Sequence, residues 1–204
     1  MNPKPLFIVF EGIDGAGKST QCARLYHYIS RPGTQARHLA EPTDGPWGQK
    51  IRGALRSGTA LSLDEQIELF IRDRMDDMNI NIRPCMEQGI TIVMDRYFYS
   101  NAAYQGMDGL SPQSIIDMNL EHGFPLPDRV YFIDLSAESA MNRVRSRSGE
   151  KTELFEKQSF LEKVRQNFLS IADSRFLVVD GALPEDKIFE IIKEDFDKLA
   201  GSTD

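Results

Sequence analysis

Short uninterrupted apolar runs alternate along this chain with longer stretches in which apolar residues recur every three or four positions. Four runs predict strands that are apolar on both faces: Leu6–Phe10 (LFIVF), Ile90–Met94 (ITIVM), Val130–Asp134 (VYFID) and Phe176–Asp180 (FLVVD). Ala36–Ala40 (ARHLA) predicts a weaker fifth. Strands of that kind belong in a parallel sheet covered by helices on each side. Helices are predicted at about 17–30, 46–57, 63–88, 111–122, 136–147, 155–173 and 185–199. The alternation predicts an α/β fold of three layers around a five-stranded parallel sheet, with ligands at the carboxyl ends of the strands.

The length of 204 residues suits one domain spanning 1–204, with a full core. Hydrophobic residues at 41% and charged residues at 27% are those of an ordinary globular chain. The run Leu6–Phe10 is too short for a membrane span or a secretory segment, so no membrane association is expected. A net charge of −7 argues against a broad nucleic-acid face. It leaves room for small anions, because a few arginines can reverse the field inside one cleft. Cys22 and Cys85 make no metal or redox spacing, which points to a reducing cytoplasm. His27, His38 and His122 are scattered and form no cluster.

Just after the first strand, Gly12 to Ser19 reads GIDGAGKS and fits G-x-x-x-x-G-K-[ST] without a gap. Gly12, Gly15, Ala16 and Gly17 let backbone N–H groups converge on phosphate oxygens, and the helix starting there adds its positive end. Lys18 is the candidate for the β/γ phosphates, Ser19 for Mg²⁺, and Thr20 closes the donor site. A strand before the motif and a helix behind it supply the context that the motif requires. The fold is therefore read as that of a P-loop NTPase.

A guanine-reading switch would carry Asn-Lys-x-Asp after a late strand, and the chain has none. Instead MDRYFYSNAAYQG follows the strand at 90–94. Asp95 is placed beside the Mg²⁺ ion, and Arg96 is placed to grip an acceptor phosphate through two parallel hydrogen bonds. Phe70 and Arg74, four apart on a predicted helix, share a face where a ring can stack on a base beside a guanidinium.

FEGIDGAGKSTQ at 10–21, EP at 41–42, LF…DR at 69–74 and DRYFYSNAAYQG at 95–106 occur in the order found in thymidylate kinases, which the chain resembles from Phe7 to about Phe160. The run D-R-Y-x-x-S-x-x-A-Y-Q-G is the most specific part. The resemblance implies transfer of the ATP γ-phosphoryl group to dTMP, with Mg²⁺, giving dTDP and ADP. It implies that Asp14 contacts the acceptor's sugar hydroxyl, Phe70 stacks on thymine, and Arg74 bonds the exposed base oxygen. It further implies that Arg96 holds the monophosphate, that Tyr104 and Gln105 line the sugar and base pocket, with Tyr104 crowding out a ribose 2′-OH, and that two copies form a homodimer, to which the helix near Met75 and Met78 contributes.

The pattern also departs from the family's. With Gly15 in the loop, the resemblance implies an arginine supplied by a lid, placed here at about 143–156. Where the family commonly has that arginine this chain has Leu154, and Arg147 or Lys151 is the candidate replacement. The run AEPTDGPWG at 40–48 lacks the arginine usual before Glu41, and Arg52 is the candidate to cover the lost phosphate contact. Arg72 stands where a small residue is usual, either adding a cation to the acceptor pocket or reaching to solvent.

Two rival readings use the same residues. EPTDGPW also resembles deoxynucleoside kinases, in which Glu41 would take the proton of a nucleoside 5′-hydroxyl. A monophosphate oxygen is already anionic and needs cations instead, and Arg52, Arg72, Arg74 and Arg96 supply them. In the majority reading Glu41 positions arginines. The other rival is a nucleotide-binding regulator without turnover, suggested by Leu154 and the altered run after Glu41-Pro42.

Overall fold

The computed structural model describes residues 4–30, 35–58, 60–107, 109–148 and 154–201, with the side chains of 147, 148 and 154–156 outside that description. Five strands, β1 (Phe7–Glu11), β2 (Ala36–Ala40), β3 (Thr91–Asp95), β4 (Arg129–Asp134) and β5 (Phe176–Asp180), form one all-parallel sheet in the order β2-β3-β1-β4-β5. Each lies within a residue of its predicted run. β1 is buried at all five positions, as a central strand covered on both faces must be, whereas β2 at the edge is mostly open.

Register brings the chemistry together. Phe10 of β1 stands opposite Asp95 of β3, and Glu11 stands opposite Phe132 of β4. The carboxyl ends of three neighbouring strands thus open at one edge of the sheet, where the chain order switches sides about β1.

The helices are α1 (Lys18–Ile29), α2 (Pro46–Ser57), α3 (Leu63–Asp77), α4 (Arg83–Glu87), α5 (Phe98–Gln105), α6 (Pro112–Glu121), α7 (Ala137–Ser148), α8 (Leu154–Ser170) and α9 (Glu185–Gly201). Helix α3 starts on a capping box, with Ser62 Oγ accepting from Glu65 N and the Glu65 carboxylate accepting from Ser62 N. The single helix expected at 63–88 is instead broken by a π-helical turn at Met78–Ile82. Pro84 follows; it has no N–H for the carbonyl four residues back and its ring crowds that turn, so the widened turn relieves the clash.

Helix α5 was not expected from the sequence. Its N-cap residue is Tyr97, whose side chain caps nothing. The cap comes from the sheet: Glu11 Oε1 accepts from Tyr97 N at 2.9 Å and from Ser100 N at 3.1 Å. A cap 86 residues away leaves no local signature. Among the described residues, no helix is long and apolar enough to cross a membrane.

Candidate active site

The loop from Gly12 to Gly17 runs from β1 into α1 through left-handed backbone at Gly12 (φ 142°), Gly15 (φ 89°) and Gly17 (φ 106°). A side chain at Gly15 would also place its Cβ 2.5 Å from the Ala140 carbonyl oxygen of α7. The loop is therefore pinned against α7 while its backbone turns inward. Helix α1 begins without a side-chain cap, so the N–H groups of its first turn stay open to an anion.

Lys18 lies almost fully buried under the loop, its Nζ donating to the Ile13 carbonyl at 2.9 Å. Burial and the neighbouring Arg96 push its pKa down to about 8, against the pull of Asp14, Asp95 and Glu11. Ser19 and Thr20 are exposed at the start of α1. On the far side of the loop a groove of about 420 Å³ is lined by Gly15, Ala16, Gly17, Thr20, Gln21, Arg143, Ser146, Leu183, Glu185 and Ile188. Arg143 donates to the Ala16 carbonyl at 3.3 Å and to the Gly181 carbonyl at 2.9 Å, tying α7 to the loop and to the end of β5. The part of this groove after β5 had only one signal in the sequence, its place beyond a strand's carboxyl end.

On the near side a cleft of about 220 Å³ is lined by Asp14, Glu41, Pro42, Leu55, Phe70, Arg74, Arg96, Tyr97, Ser100, Asn101, Tyr104 and Gln105. Seven of these were picked out by the sequence analysis: Asp14, Glu41, Phe70, Arg74, Arg96, Tyr104 and Gln105. Asn101 and Ser100 were missed as site residues, although both lie inside the most specific motif. Asn101 Nδ2 donates to Gln105 Oε1 at 3.1 Å, and Gln105 Nε2 donates to Gln66 Oε1 at 3.2 Å, so an amide chain ties α5 to α3 along the cleft.

Arg96 stands between cleft and loop. It is the single non-glycine residue with positive φ among those described (69°), a conformation that costs an L-residue about 1–2 kcal/mol. Its amide donates to the Phe10 carbonyl at 3.0 Å, which turns the chain out of the sheet there. Its Nη2 donates to Asp14 Oδ1 at 2.5 Å and its Nη1 to Ser100 Oγ at 2.8 Å. Burial opposes the Arg96 charge, but Tyr104, Asp14, Glu11 and Asp95 around it hold its pKa above the ordinary value. The protein crowded around Asp14 opposes its carboxylate although its own side chain is largely open, and Arg96 with Lys18 holds its pKa below the ordinary value.

Glu41 and Arg74 form the cleft floor. Arg74, with no exposed surface, donates through Nε to Glu41 Oε1 at 3.1 Å, through Nη2 to Glu41 Oε2, and through Nη1 to Asn119 Oδ1 at 2.5 Å. Its guanidinium carbon lies 5.1 Å from the Tyr97 ring centre and 5.7 Å from that of Phe124. Burial opposes the Glu41 carboxylate, and the Arg74 guanidinium beside it pulls the other way.

Other expected residues fall elsewhere. Arg52 donates to the Pro42 carbonyl at 2.7 Å and to Asp44 at 3.0 Å, and lines a neighbouring groove with His38 and Asp76 rather than the acceptor cleft. It braces the Glu41–Asp44 turn, because α2 runs beneath that turn. Arg72 pairs with Glu68 and lies 4.9 Å over Trp47, the outward of its two readings. The side chain of Arg147 and residues 149–153 lie outside the described part of the chain, so the lid at 143–156 is described only at its two flanks.

Asp95 Oδ1 is buried and has no hydrogen-bond partner. Among the described residues, no cluster of three His, Cys, Asp or Glu side chains forms a metal cage. One orphan carboxylate oxygen at the carboxyl end of β3 fits a cation held mainly by nucleotide phosphates, the usual habit of Mg²⁺.

The sequence model of the family described as thymidylate kinase matches residues 10–192. The chain is 39% identical over 193 residues to the thymidylate kinase of Leptospira borgpetersenii serovar Hardjo-bovis, covering 95% of this chain and 94% of that one. It is 40% identical over 189 residues to a probable thymidylate kinase of Archaeoglobus fulgidus, covering 93% of each. It is 36% identical over 206 residues to the thymidylate kinase of Xanthomonas oryzae pv. oryzae, covering 98% of this chain and 89% of the relative. The chain belongs to the thymidylate kinase family.

Proposed function

We infer that this member of the thymidylate kinase family transfers the γ-phosphoryl group of ATP to dTMP, giving dTDP and ADP. The observation that carries the reading is the position of Arg96 and Asp14, at the seam between a phosphate loop and a cleft floored by an arginine. A donor phosphate on the loop and an acceptor phosphate at Arg96 would approach each other across that seam.

The donor phosphates would rest on the loop amides of Gly12–Gly17 and the first turn of α1, with Lys18 beneath and Thr20 at the side. Ser19 and Asp95 would hold Mg²⁺, which when bound neutralises charge on the donor's outer phosphates. In the cleft, Phe70 would stack on the base, Tyr104 and Gln105 would wall the sugar and base, and Asp14 would meet the sugar hydroxyl. Arg96 would align the acceptor phosphate in line with the γ-phosphorus. The new bond forms from an acceptor phosphate oxygen to that phosphorus as its bond to the β-phosphate oxygen breaks. Catalysis would rest on positioning and charge neutralisation.

Arg74 serves as the floor beneath the base rather than as a free hand, with Glu41 holding it. That engagement disfavours the deoxynucleoside kinase reading, because a general base needs a carboxylate free to face the hydroxyl. The regulator reading rests on Leu154 and the altered Glu41-Pro42 run, and the complete set of Lys18, Ser19, Asp95 and Arg96 speaks against it.

The segment 143–156 would serve as a lid, with Arg147 the candidate to bring a charge to the transferring group, within one domain spanning the chain. Two copies pair through helices beside the sheet, with α3 contributing through Met75, which stands 45% exposed; Met78 is buried in the core and takes no part. The enzyme works in the cytoplasm on free nucleotides, as its two unpaired, buried cysteines suit a reducing compartment.

A coupled ADP-release assay with ATP and Mg²⁺ tests the proposal, comparing dTMP, thymidine and dCMP against an acceptor-free blank. Turnover on dTMP well above the others supports it; turnover on thymidine in place of dTMP overturns it.

A further inference from the structure

Glu11 is the last residue of β1, has no exposed surface, and is used by none of the steps above. Its two carboxylate oxygens do different things. Oε1 caps α5 by accepting from Tyr97 N and Ser100 N. Oε2 accepts from Ser100 Oγ at 2.5 Å. With its hydrogen given to Glu11, Ser100 Oγ turns lone pairs outward, and one of them receives Arg96 Nη1 at 2.8 Å.

The two sides of the Arg96 guanidinium are therefore held unequally. The Asp14 partner is a side chain 67% exposed, which an arriving anion can replace. The Ser100 partner is buried and fixed in turn by Glu11. Arg96 is thus anchored on one side and exchangeable on the other, the arrangement a phosphate clamp needs to be pre-set. Desolvation inside this cluster pushes the Glu11 carboxyl up to about 7, with Ser100, Arg96, Tyr97 N and Lys18 pulling the other way.

We propose that Glu11 is a positioning residue for phosphoryl transfer, acting through Ser100 to fix the Arg96 guanidinium so that the acceptor phosphate exchanges only with Asp14. The proposal rests on the reading of Arg96 as the acceptor-phosphate group.

The relay has a polarity, and this makes it testable without unfolding the chain. Glu11→Gln keeps an oxygen for Tyr97 N and Ser100 N, so the cap on α5 stays. Its amide then faces Ser100 Oγ as a donor and reverses the bond that orients the hydroxyl. Ser100→Ala removes the middle of the relay and leaves the cap intact, while Ser100→Thr restores a hydroxyl. Steady-state kinetics on the full chain, ATP binding by calorimetry and thermal unfolding are measured for all three and for Arg96→Ala.

The relay predicts that Glu11→Gln and Ser100→Ala each lower kcat/KM for dTMP by about 10²-fold, the size that misplacement near 1 Å brings. ATP affinity stays within about twofold, and Ser100→Thr recovers most of the loss. Normal kinetics with only a lowered unfolding temperature would make Glu11 a structural cap and overturn the proposal, as would a Ser100→Thr variant no better than Ser100→Ala. If Arg96→Ala itself turns over dTMP normally, the underlying reading of Arg96 fails; if Arg96→Ala is impaired while the relay variants are not, the relay alone fails.

Discussion

Glu41 and Arg74 form a buried two-point ion pair at the floor of the acceptor cleft, closed on its far side by Asn119. It ties the chain just after β2 to α3 and α6 beneath the cleft. A buried charge stripped of its partner has no water to turn to. Glu41→Ala should therefore cost about 3–5 kcal/mol of stability, read by urea unfolding. A Glu41→Ala variant of near-normal stability that lost turnover alone would return Glu41 to the role of a base.

Arg96 presents a fork whose two arms already sit at 2.5 and 2.8 Å from their partners. A lysine can hold one partner but not the planar pair. Arg96→Ala should lower kcat/KM for dTMP by about 10²–10³-fold, the loss seen when one preset donor to a developing charge is removed. Arg96→Lys should recover little of it, while ATP affinity changes little in either variant. Initial rates over a dTMP series and ATP calorimetry check both.

Much of this was legible in the sequence, and the exceptions have physical reasons. The strands were readable because a parallel strand buried on both faces is written as an unbroken apolar run. The phosphate loop was readable because its geometry demands glycine at fixed spacing, as the positive φ values at Gly12, Gly15 and Gly17 bear out. Helix α5 was not, because its cap is Glu11, brought in by the sheet. The π-helical turn at Met78–Ile82 was hidden inside a continuous amphipathic pattern. Arg74 and Arg52 were recognised as cations near the cleft. Whether each faces a ligand or braces a loop depends on Glu41, Asn119, Pro42 and Asp44, partners that local periodicity does not reveal.

Gly15 carries two constraints at once, a φ of 89° and an absent Cβ that would meet the Ala140 carbonyl at 2.5 Å. Gly15→Ala should push the loop away from α7, costing at least about 1–2 kcal/mol from the left-handed backbone alone. ATP affinity should fall with it. Calorimetric titration with ATP and thermal unfolding of the variant test this; unchanged values for both would contradict the pinned loop.

The buried Glu11 carboxyl gives stability a definite pH dependence in the ligand-free protein. Its pKa rises from the ordinary 4.5 to about 7 on folding, chiefly through burial. Below 4.5 the group is protonated in both states. Between 4.5 and 7 the folded chain keeps a proton that the unfolded chain has released, so unfolding loses a proton and stability falls as pH rises. The slope from this one group is at most about 1.4 kcal/mol per pH unit. Urea unfolding at pH 5, 6 and 7 should show it in the wild type and not in Glu11→Gln. An equal slope in both would assign it to other groups.

The most direct test of the central claim is to separate the nucleotides formed from ATP, Mg²⁺ and dTMP by chromatography and follow them with time. The account predicts dTDP and ADP appearing together in equal amounts, with none from thymidine. ADP without dTDP, or dTMP formed from thymidine, would contradict it.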